Sequence, residues 1–444
     1  MSTPDGSSGG GGPKTPPQSD LSLESGPVPL IEVPRAGAAP LAQGPVEQAF
    51  DAWARDTHAS HRAAATLASL RRCAQLLADP VSLQSGLACV RQEMPGGPEA
   101  TASALLCLSS MAFDAAQIER FRVLLGGSFR LMQQAGLLSL PLAPAQTMGR
   151  LCASALRLGI EPQAVRGAIL AQGIRPASEP DSLIWPWPVR LQTLGRLGLA
   201  VASQPLADQP PPGDMAHELL QRLVVDGGWP VRTDTLAQDL WPTAPGGPQG
   251  ALDDTLQRLR DRLGHGPALQ VHDGLVHLDP QHCWVDAWCF ERLTEGLPAD
   301  GQAGTGALDL DATNAALGLY AGHFLGHEND RPWALAYRER LRARFHGLVQ
   351  HVGRHFESMN ALGAAVSIYE RGLEVDPTAE ALYQQLMICH LNRGDHAKAM
   401  QVYRRCRESL AAAPAERTEQ LHRAAMTPPR AQAPGRQAIG PAAP

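Results

Sequence analysis

Between residues 345 and 410 the chain repeats itself with a period of 34. Tyr369 and Tyr403 stand that far apart, as do Ala365 and Ala399, Ile368 and Val402, Arg371 and Arg405, and Leu348 and Leu382. The two units read FHGLVQHVGRHFESMNALGAAVSIYERGLEVDP and TAEALYQQLMICHLNRGDHAKAMQVYRRCRESL, and Asp376-Pro377 closes the first. This period is the length of a pair of antiparallel helices in a stacked array. One such pair cannot bury its apolar face alone, so neighbours must supply the rest of the core. Helices from about 312 to 345 and a residual helix at 416–425 are the expected caps. A small residue at Ala365 and Ala399 lets two helices approach closely. A stack of this kind presents a surface and carries no chemistry, so function has to be sought in the segments joined to the repeats.

At 444 residues the chain is too long for one ordinary domain. Its formal charge of −6 gives no global sign of a nucleic-acid binder. Lys14 and Lys398 are the only lysines, so arginine carries the positive charge. The eight cysteines are scattered without a C-x-x-C, so neither a disulfide framework nor a zinc ribbon is indicated. They read as small buried apolar residues in a reducing compartment. The N-terminus has no apolar stretch behind a basic start, and no apolar run is long enough to span a bilayer. The expected location is cytoplasmic, with no membrane contact. GGGGPKT, ending at Thr15, imitates a phosphate-binding loop. That loop needs Gly directly before Lys, with a strand before and a helix after, and Pro13 precedes Lys14 here. No nucleotide or other cofactor is expected.

The expected fold class is mainly α, and the chain divides into segments. Residues 1–44, rich in Gly, Pro and Ser, cannot bury a core and read as disordered. Residues 45–180 carry apolar residues at helical spacing and read as a helical, repeat-like region. From Trp185 the pattern changes. WPWPVRLQTLGRLGLAV alternates as a strand does, and MAHELLQRLVVDGG, TDTLAQDLWP and GALDDTLQRLRDRLG read as three helices. In ALQVHDGLVHLDP, His272-Asp273-Gly274 supplies the turn of a β-hairpin. Strands, three helices and a hairpin over 185–293 make a winged helix-turn-helix with a small β-sheet. Residues 294–308 read as a linker, 309–425 as tetratricopeptide-like α-α repeats, and 426–444 as a disordered tail.

The stretch from Trp185 to Arg423 resembles the bacterial transcriptional activator domain family. Its members join a winged helix to a tetratricopeptide-like activator domain. The segments that carry the likeness are WPWPVRLQTLGRL, LAQDLWP with ALDDTLQRLRDRLG, DPQHCWVDAWCFERL, and LYAGHFLGHENDRPWALAYRERLRARF. AQTMGRLCASALRLGIEPQAVRGAILAQGIRP is similar to the end of the helical arm found in larger members. Those members carry an ATPase before that arm, and without a phosphate loop this chain resembles a truncated member. The resemblance implies a non-enzymatic DNA-binding transcriptional regulator. Its partners would be double-stranded DNA, at the winged helix, and a protein or a second copy of the chain, at the repeats. The usual Gly-Lys-rich stretch before the first helix is replaced by ADQPPPGDMAH, with Asp208 and Asp214.

Leu252, Leu256, Leu259 and Leu263 fall on one narrow arc of a helix and are its expected buried face. The opposite face and flanks present the candidate DNA-binding residues Thr255, Gln257, Arg258, Arg260 and Arg262, with His272 on the wing. In a helix-turn-helix this face enters the major groove, where Arg forks to guanine and Gln bonds adenine. Asp254 and Asp261 share that face and repel phosphate. From Trp185 to Leu293 acids outnumber bases, which leaves open a scaffold that contacts only protein. RERLRARF, Arg338 to Phe345, reads as a basic helix face, either solvated and paired with acids or lying on DNA flanks. His323 and His327 are expected one helical turn apart, with no third metal ligand in a motif. His265, His272, His277 and His282 read as solvated wing residues, and Trp229, Trp241, Trp284 and Trp288 as packing. No catalytic set has supporting context.

Overall fold

The computed structural model describes residues 97–427, apart from Ala115, 138–144, Arg196, Ser203, 206–212, 244–246, 298–307 and 327–329. The segments 1–44 and 428–444, and residues 45–96 of the expected helical region, lie outside the described residues. The described chain is mainly helical, with small sheets.

Four helices come first: α1 (Gly97–Asp114), α2 (Ile118–Gln134), α3 (Ala145–Arg157) and α4 (Pro162–Gln172). Leu105, Phe121, Leu125, Phe129, Leu151 and Val165 meet in one core between them. Trp185, Trp187 and Trp284 belong to that core as well, so the helical region is packed onto the first sheet of the winged helix. A short helix, α5 (Glu179–Ser182), leads into that sheet.

The strands β1 (Val189–Gln192), β2 (Gly198–Val201), β3 (Gln204–Pro205) and β7 (Cys283–Val285) form it in the order β3-β2-β1-β7. β1 is antiparallel to β2 and parallel to β7. Helix α6 (Met215–Val225) starts where the Asp214 side chain accepts from the Ala216 N–H, a cap that satisfies one orphan donor. β4 (Val231–Arg232), α7 (Thr233–Leu240) and α8 (Pro248–Leu263) come next. Pro248 opens α8, where its missing N–H costs nothing, and Gly264 closes it in the left-handed conformation. β5 (Leu269–His272) and β6 (Leu275–Leu278) form the expected hairpin, with φ of 51° at Asp273 and 72° at Gly274. Two successive left-handed residues give the turn whose twist matches its strands. β4 joins the edge of this wing, and α9 (Asp286–Leu293) leaves the end of β7.

Beyond residues 298–307 come α10 (Leu310–Leu319), α11 (Pro332–Ser358), α12 (Leu362–Val375), α13 (Glu380–Asn392), α14 (His396–Ser409) and α15 (Glu416–Met426). The pairs α11–α12 and α13–α14 are the two repeat units. Ala365 and Ala399 are fully buried, and so are Leu348, Leu382 and Tyr369. The tightest approach is at Gly353 on α11, where an added Cβ would lie 2.2 Å from the Tyr369 ring. One continuous core runs from Val189 and Leu191 through Leu223, Leu256, Val276 and Phe290 to Phe345, Tyr369, Leu386 and Tyr403. The winged helix and the repeats therefore share their interior.

Two expectations fail. Trp229 is 77% exposed rather than packed. It comes after Gly227 and Gly228, both at positive φ, and a Cβ on Gly228 would strike Pro280 at 2.6 Å, so the turn sends the indole outward. His323 lies in the bend between α10 and α11 and not on a helix, and His327 lies outside the described residues.

Candidate nucleic-acid interface

α7 and α8 are the helix-turn-helix. Leu252, Leu256, Leu259 and Leu263 are buried on one face of α8, so the other face is directed outward. Of the candidate residues, Gln257 and Arg258 are exposed there and Arg260 is half-buried.

Thr255 is not on the outer face. It is 1% exposed, and its hydroxyl donates to the Ala251 carbonyl at 2.7 Å. Position 255 is three residues from Leu252 and four from Leu259, which puts it on the apolar stripe. The hydroxyl still reaches the reading face indirectly, because Arg258 Nη2 donates to it at 2.9 Å. Arg262 is withdrawn too. Its guanidinium donates to Asp214 at 2.7 Å, and both side chains are largely covered. The acid that stands in place of a basic stretch thus caps α6 and holds Arg262 inward.

Two further pairs of polar side chains bond one another along α8. Gln257 Nε2 donates to Asp261 at 3.0 Å, and Gln249 Nε2 to Asp253 at 3.4 Å. Asp253, Asp254 and Asp261 are all exposed beside Arg258.

On the wing, His272 is 88% exposed and lies 3.0 Å from the Asp273 carboxylate. The turn is pinned to the helix-turn-helix by the Thr233 N–H, which donates to the Gly274 carbonyl at 2.9 Å. Leu275 is paired with His272 on one side and with Arg232 on the other. Arg232, Leu275 and His272 therefore form a row on one face of the wing. Sequence spacing does not single out Arg232. Its only signal there is a position directly before the second helix.

His265 and His282 are not solvated bystanders. His265 Nε2 lies 3.1 Å from His282 Nδ1, joining the end of α8 to the loop before β7. Burial, then the neighbouring His282, pushes His265 below the ordinary histidine range.

In the basic segment of α11, Arg338 faces the interior, Arg342 is half-buried, and Arg340 and Arg344 stay exposed beside Glu291. Arg338 is buried and donates to the Phe324 carbonyl at 2.9 Å. Arg340 pairs with Glu291 at 2.9 Å. Arg342 Nε donates to Asp376 at 2.6 Å, and His346 Nε2 lies 2.8 Å from the same carboxylate. Burial would raise the Asp376 carboxyl. The bonds from His346, Arg342 and Thr378 outweigh it and hold the group well below the usual carboxylate range.

Among the described residues, nucleophile chemistry has no support in the cysteines. Cys107, Cys152, Cys283, Cys289, Cys389 and Cys406 are buried, and burial pushes the Cys152 and Cys289 thiols up to about 12. Among the described residues no three His, Cys, Asp or Glu side chains are grouped to hold a metal ion. No helix there is long and apolar enough to cross a membrane.

Residues 285–425 match the family model of the bacterial transcriptional activator domain. The match begins at the last residue of β7 and runs through α9 to the end of α15. No curated protein matches the chain. Among solved structures, Mycobacterium tuberculosis EmbR in complex with a low affinity phosphopeptide is similar, with 19% identity and a TM-score of 0.41. The similarity covers 54% of this chain and 65% of that one, so this chain spans less than two thirds of its length.

Proposed function

We propose that the chain is a non-enzymatic transcriptional regulator that contacts double-stranded DNA through α8 and the wing, and protein partners through its α-α repeats. The observation that carries the reading is the pairing of a helix-turn-helix, whose second helix turns Gln257 and Arg258 outward, with an activator-domain match over 285–425. On this reading the division of labour is by segment. The helices before Trp185 receive a signal, residues 185–293 read DNA, and residues 309–425 bind protein. Arg258 and Gln257 are the base-reading candidates, and Arg260, His272 and Arg232 reach phosphates. Thr255 acts only by orienting Arg258, and Arg262 contributes nothing while Asp214 holds it.

A second reading is favoured by a specific observation. Asp253, Asp254 and Asp261 stand exposed around Arg258, and phosphate neutralisation supplies most non-specific affinity. A winged helix kept as a protein-contact scaffold would show this face. Selection of duplexes from a random pool by the full-length chain separates the two. Enrichment of a sequence, with Arg258→Ala weakening its binding by roughly 1–3 kcal/mol at an unchanged melting temperature, supports the DNA reading. A pool that stays random at low salt establishes the scaffold.

A further inference from the structure

Helix α9 is eight residues long, and its side chains reach five other parts of the molecule. The Asp286 carboxylate accepts from the Thr193 N–H and hydroxyl and from the Leu194 N–H, at 2.6–2.9 Å, and so grips the end of β1. Trp288 Nε1 donates to the Val224 carbonyl at 2.7 Å, at the end of α6. Cys289 Sγ lies 3.3 Å from the Ser182 hydroxyl, and Arg292 Nε donates to Glu179 at 2.7 Å, so both meet α5. The Phe290 ring sits 5.0 Å from that of Tyr320, just after α10. Glu291 accepts from the Tyr337 hydroxyl at 2.8 Å and pairs with Arg340, both on α11.

The core of the N-terminal helices closes onto the same place. Beyond residue 190 its members are Trp284 and Cys289, with Leu293 and Leu319 packed against them, and the first three lie on β7 or α9. Trp284 Nε1 donates to the Ser182 hydroxyl at 3.1 Å while the Arg190 guanidinium lies over its ring. Residues 286–290 are all buried. A short helix in contact with five parts of the molecule has little slack to absorb movement of one neighbour. Close-packed interiors respond by shifting whole elements.

We infer that α9 is the relay by which a displacement of the N-terminal helices is passed to the winged helix and to the repeats. An input arriving before Trp185 moves Ser182 and Glu179 against Cys289 and Arg292. The same helix carries that movement to Thr193 at the sheet and, through Glu291, to Tyr337 and Arg340. The inference concerns coupling inside the chain and does not depend on whether α8 binds DNA.

Hydrogen exchange by mass spectrometry on the full-length chain tests it. Tyr337→Phe deletes one hydroxyl bond on the repeat side of α9 and keeps the ring. Amides at 179–194, on the opposite side, should then exchange about tenfold faster, the factor expected for one bond to a charged group. Coupling is reciprocal, so Glu179→Ala should likewise speed exchange in α11 around residues 337–345. Arg405→Ala, which removes a comparable ion pair with Glu370 away from α9, should change neither region. Acceleration confined to α9 and α11 in Tyr337→Phe, or unchanged exchange at 179–194, overturns the relay.

Discussion

α8 carries Arg258, Arg260 and Arg262, and α11 carries Arg338, Arg340, Arg342 and Arg344, each as an alternating arginine run. The two runs are used in opposite ways. On α11 the arginines reach the Phe324 carbonyl, Glu291 and Asp376. They join the repeats to the winged helix and to the turn between the repeat units. On α8 one arginine is drawn inward by Asp214 while Arg258 stays exposed, braced by Thr255. An arginine run in a sequence thus says little about availability to phosphate. That depends on acids and carbonyls brought in from distant positions. Such distant partners also decide which run stabilises the fold and which is left to meet another molecule.

The largest effect should come from removing the acid that anchors the α11 run. Asp376 is 1% exposed and takes bonds from Arg342, His346 and Thr378. Asp376→Ala leaves a guanidinium and an imidazole without their carboxylate, at a cost of roughly 3–5 kcal/mol. Asp254→Ala, on the exposed face of α8, should stay within about 0.5 kcal/mol. Urea denaturation of the full chain measures both. Equal costs would remove the distinction between a structural run and a free one.

A middle-sized effect should convert one behaviour into the other. Asp214→Ala removes the cap of α6, at about 1 kcal/mol of stability, and releases Arg262. If α8 lies near phosphates, one more arginine should steepen the slope of log affinity against log salt by about 0.9. Anisotropy titrations of a labelled duplex at several salt concentrations give that slope. A slope unchanged in a folded variant places Arg262 away from DNA even when it is free.

How much of this is legible in the sequence depends on the range of the interaction. The leucines of α8, the wing turn at Asp273-Gly274 and the 34-residue pairs are set by neighbours within a few residues or by simple repetition. All appear where the spacing puts them. Thr255 is misplaced when its polar side chain is weighed above its angle on the helix, between Leu252 and Leu259. Trp229 is misjudged because its exposure is set by backbone conformation at two glycines and by Pro280, some fifty residues on. The α9 junction is not legible at all. Asp286 counts as one more acid in the sequence, and only the fold brings it to Thr193. The anchoring of Arg342 likewise needs Asp376, which the repeat geometry alone delivers.

The smallest expected effect is on acid titration, and it separates the two regions by pH. His265 and His282 meet through ring nitrogens 3.1 Å apart, an arrangement that needs one donor and one acceptor. Protonating both rings sets donor against donor at the end of α8. Burial, then His282, already pushes His265 down. An unfolded histidine titrates near about 6.5, so below that pH the unfolded chain takes up the proton first. The stability His265 contributes is therefore complete above that range and is lost as pH falls toward its lower folded value. His217 and His323, both also pushed down by burial, act in the same direction. Asp376 behaves otherwise: its carboxyl is held low, so its contribution lasts through this window and fades only below the ordinary carboxylate range. Unfolding free energies measured at about pH 7.5 and 5.5 should fall less in His265→Asn than in the parent chain. Identical slopes for His265→Asn and the parent would mean that the histidine contact carries no titrating energy, and that α8 is no more sensitive to acid than α11.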